Sequence, residues 1–344
     1  MPLDRARRAL IVIVNYRTAA LVVACLRSLH PEIAEHPGCA VTVVDNNSAD
    51  GSVEKIRAVV EAEGWGGWVR VIASPTNGGF AAGNNVAIRA ALAQAVRPAY
   101  IWLVNPDTLV RRGALNALLT LMEAHPRAGI AGGSLEEANG QRWPYAFRFP
   151  SLGSEINDGL RLSLVGRWLA RYSVARRMGD EVVRVDWISG ANFMLRTTLI
   201  DAIGLMDEDY FLYFEETDYC LQAQRAGWEC WYLPQARVMH IAGQSTGITS
   251  DPRSKRRRPI YWFESRRRYY VKNHGHVYAM AADLLWLFGF TMWRLRRLIQ
   301  RKPDHDPPGL LLDFARHSSL ANFGLPAHRI GARPMDASAE RNGT

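Results

Sequence analysis

Four stretches of this sequence carry residues whose types and spacing could do chemistry. The first is Ile101-Trp102-Leu103-Val104-Asn105-Pro106-Asp107-Thr108, an apolar run that halts at Pro106 and delivers Asp107. It reads as a buried strand, and open parallel sheets bind ligands outside the carboxyl ends of their strands. A hard carboxylate there, beside an Asn that offers oxygen, suits Mg²⁺ or Mn²⁺ carrying a substrate's phosphates, so Asp107 is the first candidate metal ligand. The alternative use of Asp107 or Thr108 is to N-cap a helix over residues 109–124.

The second stretch holds Glu215, Glu216 and Asp218 among Tyr210, Phe211, Tyr213, Phe214 and Tyr219. Acids in a partly apolar sleeve suit a general base whose pKa is set by burial and like charge. They also suit the first turn of a helix running through 222–226, whose dipole they would complement. Third, Asp45 begins Asp45-Asn46-Asn47-Ser48-Ala49-Asp50-Gly51-Ser52, where it could accept from a ribose hydroxyl or a base N–H, or close an Asx-turn. Fourth, Asn77-Gly78-Gly79-Phe80-Ala81-Ala82-Gly83-Asn84-Asn85 is a glycine-rich turn opening a helix, neither a Walker loop nor a dinucleotide GxGxxG. Its glycines would let backbone approach a ligand, with a helix N-terminus favouring negative charge. His240, at the end of the short run 237–239, is a further imidazole for a strand-end metal, or a hydrogen-bonded structural histidine.

These residues need a scaffold that brings strand ends together. Apolar or β-branched runs at 10–14, 40–44, 68–73 and 100–104 alternate with helical spacing at 19–29 and 53–60, which predicts βαβ units and a mostly parallel sheet. Residues 142–150 and the Arg-rich segment to Arg177 have no clear period and read as an excursion over the sheet edge; 142–150 and 245–259 are candidate closing loops. A turn and strand are expected over 185–196, and short runs at 231–233 and 237–239.

With 344 residues, 48% hydrophobic and 22% charged, the chain can bury a sizeable core and is not of disordered composition. The excess of 42 Lys+Arg over 33 Asp+Glu clusters at 255–258, 266–268 and 294–302, which favours a phosphate-rich partner or an anionic membrane surface. Cys25, Cys39, Cys220 and Cys230 lack CxxC spacing and are expected as reduced thiols of a cytosolic protein, without zinc. The apolar run 9–14 is too short for a secretory segment and is expected as the first strand.

Taken in order, Val14-Asn15-Tyr16, Val44-Asp45-Asn46-Asn47-Ser48, the 77–85 turn, Leu103-Val104-Asn105-Pro106-Asp107, Ser189-Gly190-Ala191, the acids between Asp207 and Asp218, and His240 resemble the family 2 glycosyltransferases. Within that family they are similar to rhamnosyltransferase-like members that build cell-wall linkers and O-antigen. The resemblance covers residues 10–275. It implies a GT-A fold (α/β, Rossmann-like, with helices on both faces of the sheet), a nucleotide-sugar donor such as dTDP-rhamnose, Mg²⁺ or Mn²⁺, and inversion at the anomeric carbon. By the same resemblance Asp107 holds the metal with His240 assisting, Asp45 contacts the nucleotide, and Asn15, Tyr16, Arg17, Asn77, Gly79, Asn84 and Asn105 complete the donor site. Glu216 takes the general-base position, with Glu215 beside it and Asp218 in reserve. The family's paired-acid metal motif is here Asn105-Pro106-Asp107, with one anionic ligand fewer, and Glu215-Glu216 stands where many relatives have Glu-Asp.

The expected organisation is a catalytic domain over 1–250, with a nucleotide-binding half to about 110 and an acceptor-binding half to 250. A basic and aromatic segment with an amphipathic helix follows over 251–302, then an extended, partly disordered tail over 303–344. Residues 277–293 carry one charge, Asp283, and are flanked by Arg294, Arg296, Arg297, Arg301 and Lys302, a pattern that suits lying in a membrane interface or a homodimer contact. The expected acceptor is polyprenyl-diphosphate-linked or a growing glycan, met by a peripheral protein on the inner face of the plasma membrane. The alternatives are a galactofuranosyl- or other hexosyltransferase, and a non-catalytic nucleotide- or glycan-binding subunit. Nucleic acid is not expected as a partner, because the basic runs surround an apolar helix.

Overall fold

The computed structural model describes residues 8–137, 139–143, 145–162, 170–240 and 256–324. The expected motif Gly243-Gln244-Ser245, most of the 245–259 loop, Lys255, the middle of the Arg-rich segment and the tail from 325 lie outside them. In chain order the elements are β1 (Ala9–Asn15), α1 (Ala19–Glu35), β2 (Cys39–Asp45), α2 (Ser52–Ala62), β3 (Val69–Ala73), α3 (Gly79–Leu92), β4 (Tyr100–Val104), β5 (Thr108–Val110) and α4 (Ala114–Ala124). There follow β6 (Ala128–Glu136), β7 (Arg142–Trp143), β8 (Tyr145–Phe147), α5 (Leu152–Leu160), β9 (Ala175–Arg177), β10 (Val183–Val185), β11 (Asn192–Arg196) and α6 (Thr197–Ile203). The last are α7 (Glu215–Arg225), β12 (Glu229–His240), α8 (Ile260–Ile299) and α9 (Leu310–His317).

One sheet runs β10-β12-β6-β11-β4-β1-β2-β3. Its β4-β1-β2-β3 half is wholly parallel, as alternating strands and helices require. β11 enters antiparallel between β4 and β6, and so makes the other half mixed. Both faces are covered, and β1 shows why its sequence reads as a continuous apolar run: Ala9, Ile11 and Ile13 pack on one side, Leu10 and Val12 on the other. Helices α1, α2 and α4 cover the first face, α3, α6 and α7 the second.

Two expectations change here. Asp107 and Thr108 cap no helix, because 108–110 is a strand and α4 begins only at Ala114. Its orphan N–H groups are capped by buried Glu32, which accepts from Gly113 N at 2.7 Å and Leu115 N at 2.8 Å. The runs at 231–233 and 237–239 are one strand, β12, whose register against β6 shifts between Leu233 and Val238.

The segment after Pro150 contains a helix, α5, started by a Ser151 and Ser154 capping box. It crosses α8 at paired glycines: a Cβ on Gly159 would sit 2.9 Å from the Trp286 carbonyl oxygen, and one on Gly289 2.9 Å from Leu160 N. α8 breaks at Gly275, where φ is 82° and ψ 168°. Across the break, buried Arg266 binds Asp283 of the second half and Glu155 of α5 (2.6 Å), while Tyr270 donates to Glu155 at 2.5 Å and Ser319 N to Asp283 at 2.6 Å. The arginine clusters are therefore largely spent inside the molecule: Arg257 pairs with Asp313, Arg268 with Asp207 and Asp209, Arg294 and Arg297 with Asp304. Nor is the stretch after Pro303 all extended, since α9 docks Leu310 and Phe314 against Phe263, Trp286 and Phe290.

Outward, α8 exposes Val277, Leu284, Phe288, Leu295, Leu298 and Ile299. Among the described residues no helix is long and apolar enough to cross a membrane.

Candidate active site

Strand pairing assembles the metal candidates. Pro106 ends β4, and the three residues of β5 then pair antiparallel with the end of β12, with Thr108 opposite His240. That register brings His240 Nε2 to 3.3 Å from Asp107 Oδ1, with Asn105 Nδ2 at 3.4 Å from the same nitrogen. Two ligands on one octahedral ion with bonds of about 2.1 Å stand about 3 Å apart, so this oxygen and nitrogen fit a shared divalent cation. Among the described residues no group of three His, Cys, Asp or Glu forms around them, so further ligands would come from substrate and water.

Next to this pair is a strained elbow. Tyr213 and Phe214 both adopt the left-handed region (φ 71° and 67°), a conformation L-residues enter at a cost of order 1–3 kcal/mol each. The elbow starts α7 at Glu215, so Glu215 and Glu216 stand at its first turn, facing the strand ends. It is held from behind: Ser265 donates to the Leu212 carbonyl at 3.0 Å, and Phe80 N to the Phe211 carbonyl at 2.9 Å. One oxygen of each glutamate is buried without a hydrogen-bond partner. Burial raises both pKa values; for Glu215 the adjacent charge of Glu216 adds to it, while for Glu216 its own and the Gly190 backbone amides offset part of the rise. Protonation is thus favoured more at Glu215 than at Glu216.

Two cavities meet at this elbow. One, of about 330 Å³, contains Asp107, His240, Asn105, Tyr16, Asn77, Gly79 and the Ser189-Gly190-Ala191 turn. The other, of about 760 Å³, is walled by Trp187, Trp262, Trp286 and three arginines. Tyr213 and Glu216 line both.

Residues 6–261 match the model of the glycosyltransferase like family 2. The chain is a family 2 glycosyltransferase. It is 30% identical over 256 residues to an N-acetylglucosaminyl-diphospho-decaprenol L-rhamnosyltransferase of Mycobacterium tuberculosis, covering 71% of this chain and 78% of that one. It is 27% identical over 168 residues to rhamnosyltransferase WbbL of Escherichia coli, 48% of this chain and 61% of that one. A mannosyltransferase from Pyrobaculum calidifontis, solved with GDP-Man and Mn²⁺, superposes with a TM-score of 0.55 at 15% identity over 92% of this chain and 81% of that one, a likeness that carries the GT-A fold.

In this glycosyltransferase, Tyr16, Asn77, Gly79, Asn105, Asp107, His240, Glu215 and Glu216 share the smaller cavity. Four expected donor-site residues do not line it. Asp45 is buried and accepts from Asn15 Nδ2 at 2.6 Å, Ser48 Oγ at 2.6 Å and Ser48 N at 3.0 Å, so as placed it closes the turn that presents Asn46. Asn15 is consumed in that bond, Arg17 stacks on Tyr16 and binds the Ser48 carbonyl, and Asn84 donates to the Phe80 carbonyl within α3. Asp218 also turns away: Lys272 Nζ and Asn273 Nδ2 each hold it at 2.6 Å. Conversely, Asn46, Tyr213, Tyr261 and Arg258 face the cavities without having been singled out. All four lay inside noted stretches, Asn46 after Asp45, Tyr213 in the aromatic sleeve, Arg258 and Tyr261 in the basic and aromatic segment; what brings Tyr213 to both cavities is its left-handed backbone.

Gly79 is the tightest point of the donor side. Its φ is 85°, and a Cβ there would lie 1.8 Å from the Phe211 carbonyl oxygen. Gly79→Ala is expected to destabilise by about 1–3 kcal/mol in urea denaturation and to weaken nucleotide binding, because the helix end and the elbow must part.

Proposed function

We propose that this glycosyltransferase is an inverting, divalent-metal-dependent rhamnosyltransferase using dTDP-rhamnose, with a lipid-diphosphate-linked glycan as acceptor. The observation that carries this reading is that Glu216, a carboxylate with one buried oxygen unpartnered and a raised pKa, borders both cavities. The donor's diphosphate would lie by Asp107, His240 and Asn105, with Asp107 and His240 as the residues that would hold the metal. Bound there, the ion neutralises charge developing on the leaving nucleoside diphosphate. Tyr16, Asn77 and the Gly79 backbone shape the donor pocket, and Asp45 positions the turn beside it. From the larger cavity the acceptor hydroxyl reaches Glu216, which takes its proton as the hydroxyl oxygen attacks the anomeric carbon from the face opposite the diphosphate. One displacement, with no sugar attached to the protein, inverts that centre.

The relative from M. tuberculosis is named for a decaprenyl-diphosphate-linked acceptor, and the exposed apolar side of α8 beside Arg301 and Lys302 suits an anionic lipid surface. A peripheral position on the inner face of the plasma membrane follows from that reading.

The test is titration of dTDP, UDP and GDP, each with Mn²⁺ and with chelator, into wild type and Asp107→Ala. The expected outcome is metal-dependent binding of dTDP, abolished in Asp107→Ala. Binding of UDP or GDP instead would name another donor class, and no binding under any condition would overturn the proposal.

A further inference from the structure

The larger cavity contains three guanidinium groups, and two are accounted for. Arg266 is enclosed by Glu155 and Asp283, and Arg161 is held by Asp306 at 2.6 Å. Arg258 is different. Among the described residues no carboxylate pairs with it, its Nε is buried without a hydrogen-bond partner, and its guanidinium lies over the Trp262 ring, 4.3 Å from the centroid. A buried donor left unmade is costly, and so is a cation packed toward another cation. Arg258 carries both costs: burial lowers its proton affinity most, and the charge of Arg161 lowers it further, against an opposing contribution from Asp306.

The neighbours say what would relieve them. Arg258 shares this cavity with Tyr213 of the elbow and with Arg161, whose guanidinium stacks over Phe290 at 5.3 Å and is paired with Asp306. The cavity's apolar wall, Trp286 and Leu310, belongs to α8 and α9, the helices that expose Leu284, Phe288 and Leu312 outward. Besides Glu216, the lining thus combines aromatic rings, guanidinium groups and apolar side chains, the surfaces that a sugar, an anion and a hydrocarbon chain call for. Asp158 and Glu155 also face this cavity, but Glu155 is taken up by Arg266 and Tyr270, and burial with the nearby Glu155 charge pushes Asp158 up to about 6. Arg258 lines this cavity and a smaller one beside Arg257 and Asp313, and not the one holding Asp107 and His240.

We propose that Arg258, with Arg161 beside it, holds the diphosphate of a prenyl-diphosphate-linked acceptor while the acceptor sugar reaches Glu216. This rests on the transferase reading above and adds the residue that selects the acceptor by its anion. A planar guanidinium already stacked on an indole presents its N–H fork to phosphate oxygens with little further ordering.

The experiment measures binding of farnesyl diphosphate, with chelator present to silence the metal site, to wild type, Arg258→Gln and Arg258→Lys. Farnesol is the neutral control, and dTDP with Mn²⁺ is titrated into each protein. Wild type is expected to bind farnesyl diphosphate, Arg258→Gln roughly tenfold to a hundredfold more weakly, and Arg258→Lys in between, with farnesol and dTDP unchanged. Since Arg258 has no carboxylate partner, Arg258→Gln should melt at or above the wild-type temperature. No farnesyl diphosphate binding by wild type, equal binding by Arg258→Gln, an equal loss of dTDP that assigns the residue to the donor, or a lowered melting temperature that makes it structural would each overturn the proposal. Should dTDP fail to bind wild type while farnesyl diphosphate binds in an Arg258-dependent way, the donor reading falls and the anion site stands.

Discussion

Glu216→Gln is expected to lower kcat by about 10²–10⁴-fold while leaving dTDP binding intact, the effect of removing a positioned general base. A sugar hydroxyl is a poor nucleophile at neutral pH, and among the described residues no other carboxylate lies on both cavities. Glu215→Gln should cost less than tenfold, because burial and the Glu216 charge favour the neutral form of Glu215, which Gln copies. The pH profile separates the two further. Burial raises the Glu216 pKa, so its ionised form is lost as pH falls through a value above the usual carboxylate range. The acid limb of kcat/KM should sit correspondingly high in the wild type and be absent from Glu216→Gln. A Glu216→Gln enzyme that keeps a tenth of its activity would place the base elsewhere; Asp218, pinned by Lys272 and Asn273, would first have to be released.

Arg266→Ala should destabilise the protein by about 3–5 kcal/mol, the range for leaving buried charges without their partner. Here two carboxylates, Glu155 and Asp283, are stranded by one deletion, and both are buried. Urea denaturation measures it directly. A loss below about 1 kcal/mol would put this network in the class of exposed ion pairs. The same substitution should slow catalysis, since Arg266 clasps α5 to both halves of the broken helix that carries Tyr261 and Trp262 into the cavities.

What could be read beforehand follows from how local each cause is. Strands β1, β2 and β4 are announced by β-branched and apolar runs, and Pro106 marks where β4 must end. β5 is not, because Thr108-Leu109-Val110 is too short to show alternation and follows good capping residues; only its pairing with β12 makes it a strand. Helix α5 is hidden by Gly153 and Gly159, which are there for close packing against Tyr172 and α8. For the candidate site, residue type singles out Asp107, His240 and Glu216, which the fold brings to one cavity, since their chemistry is carried by the side chain itself. It does not sort Glu216 from Asp218, two residues away on one helical turn and facing opposite ways. Nor does it separate Arg258 from Arg257, Arg266 and Arg268, which differ only in the carboxylates that long-range packing brings to them.

Tyr261 stands in the smaller cavity and Trp262 and Arg258 in the larger, while Tyr16 and Val14 close the smaller from the other end of the chain. The helices after residue 256 are thus walls of both chambers and not an appendage to them. During synthesis the sheet can be complete by His240, yet neither chamber is enclosed until α8 has left the ribosome and folded back on α5 and the elbow. A nascent or truncated chain ending near residue 250 would hold every acid and the histidine of the site and still expose them to water.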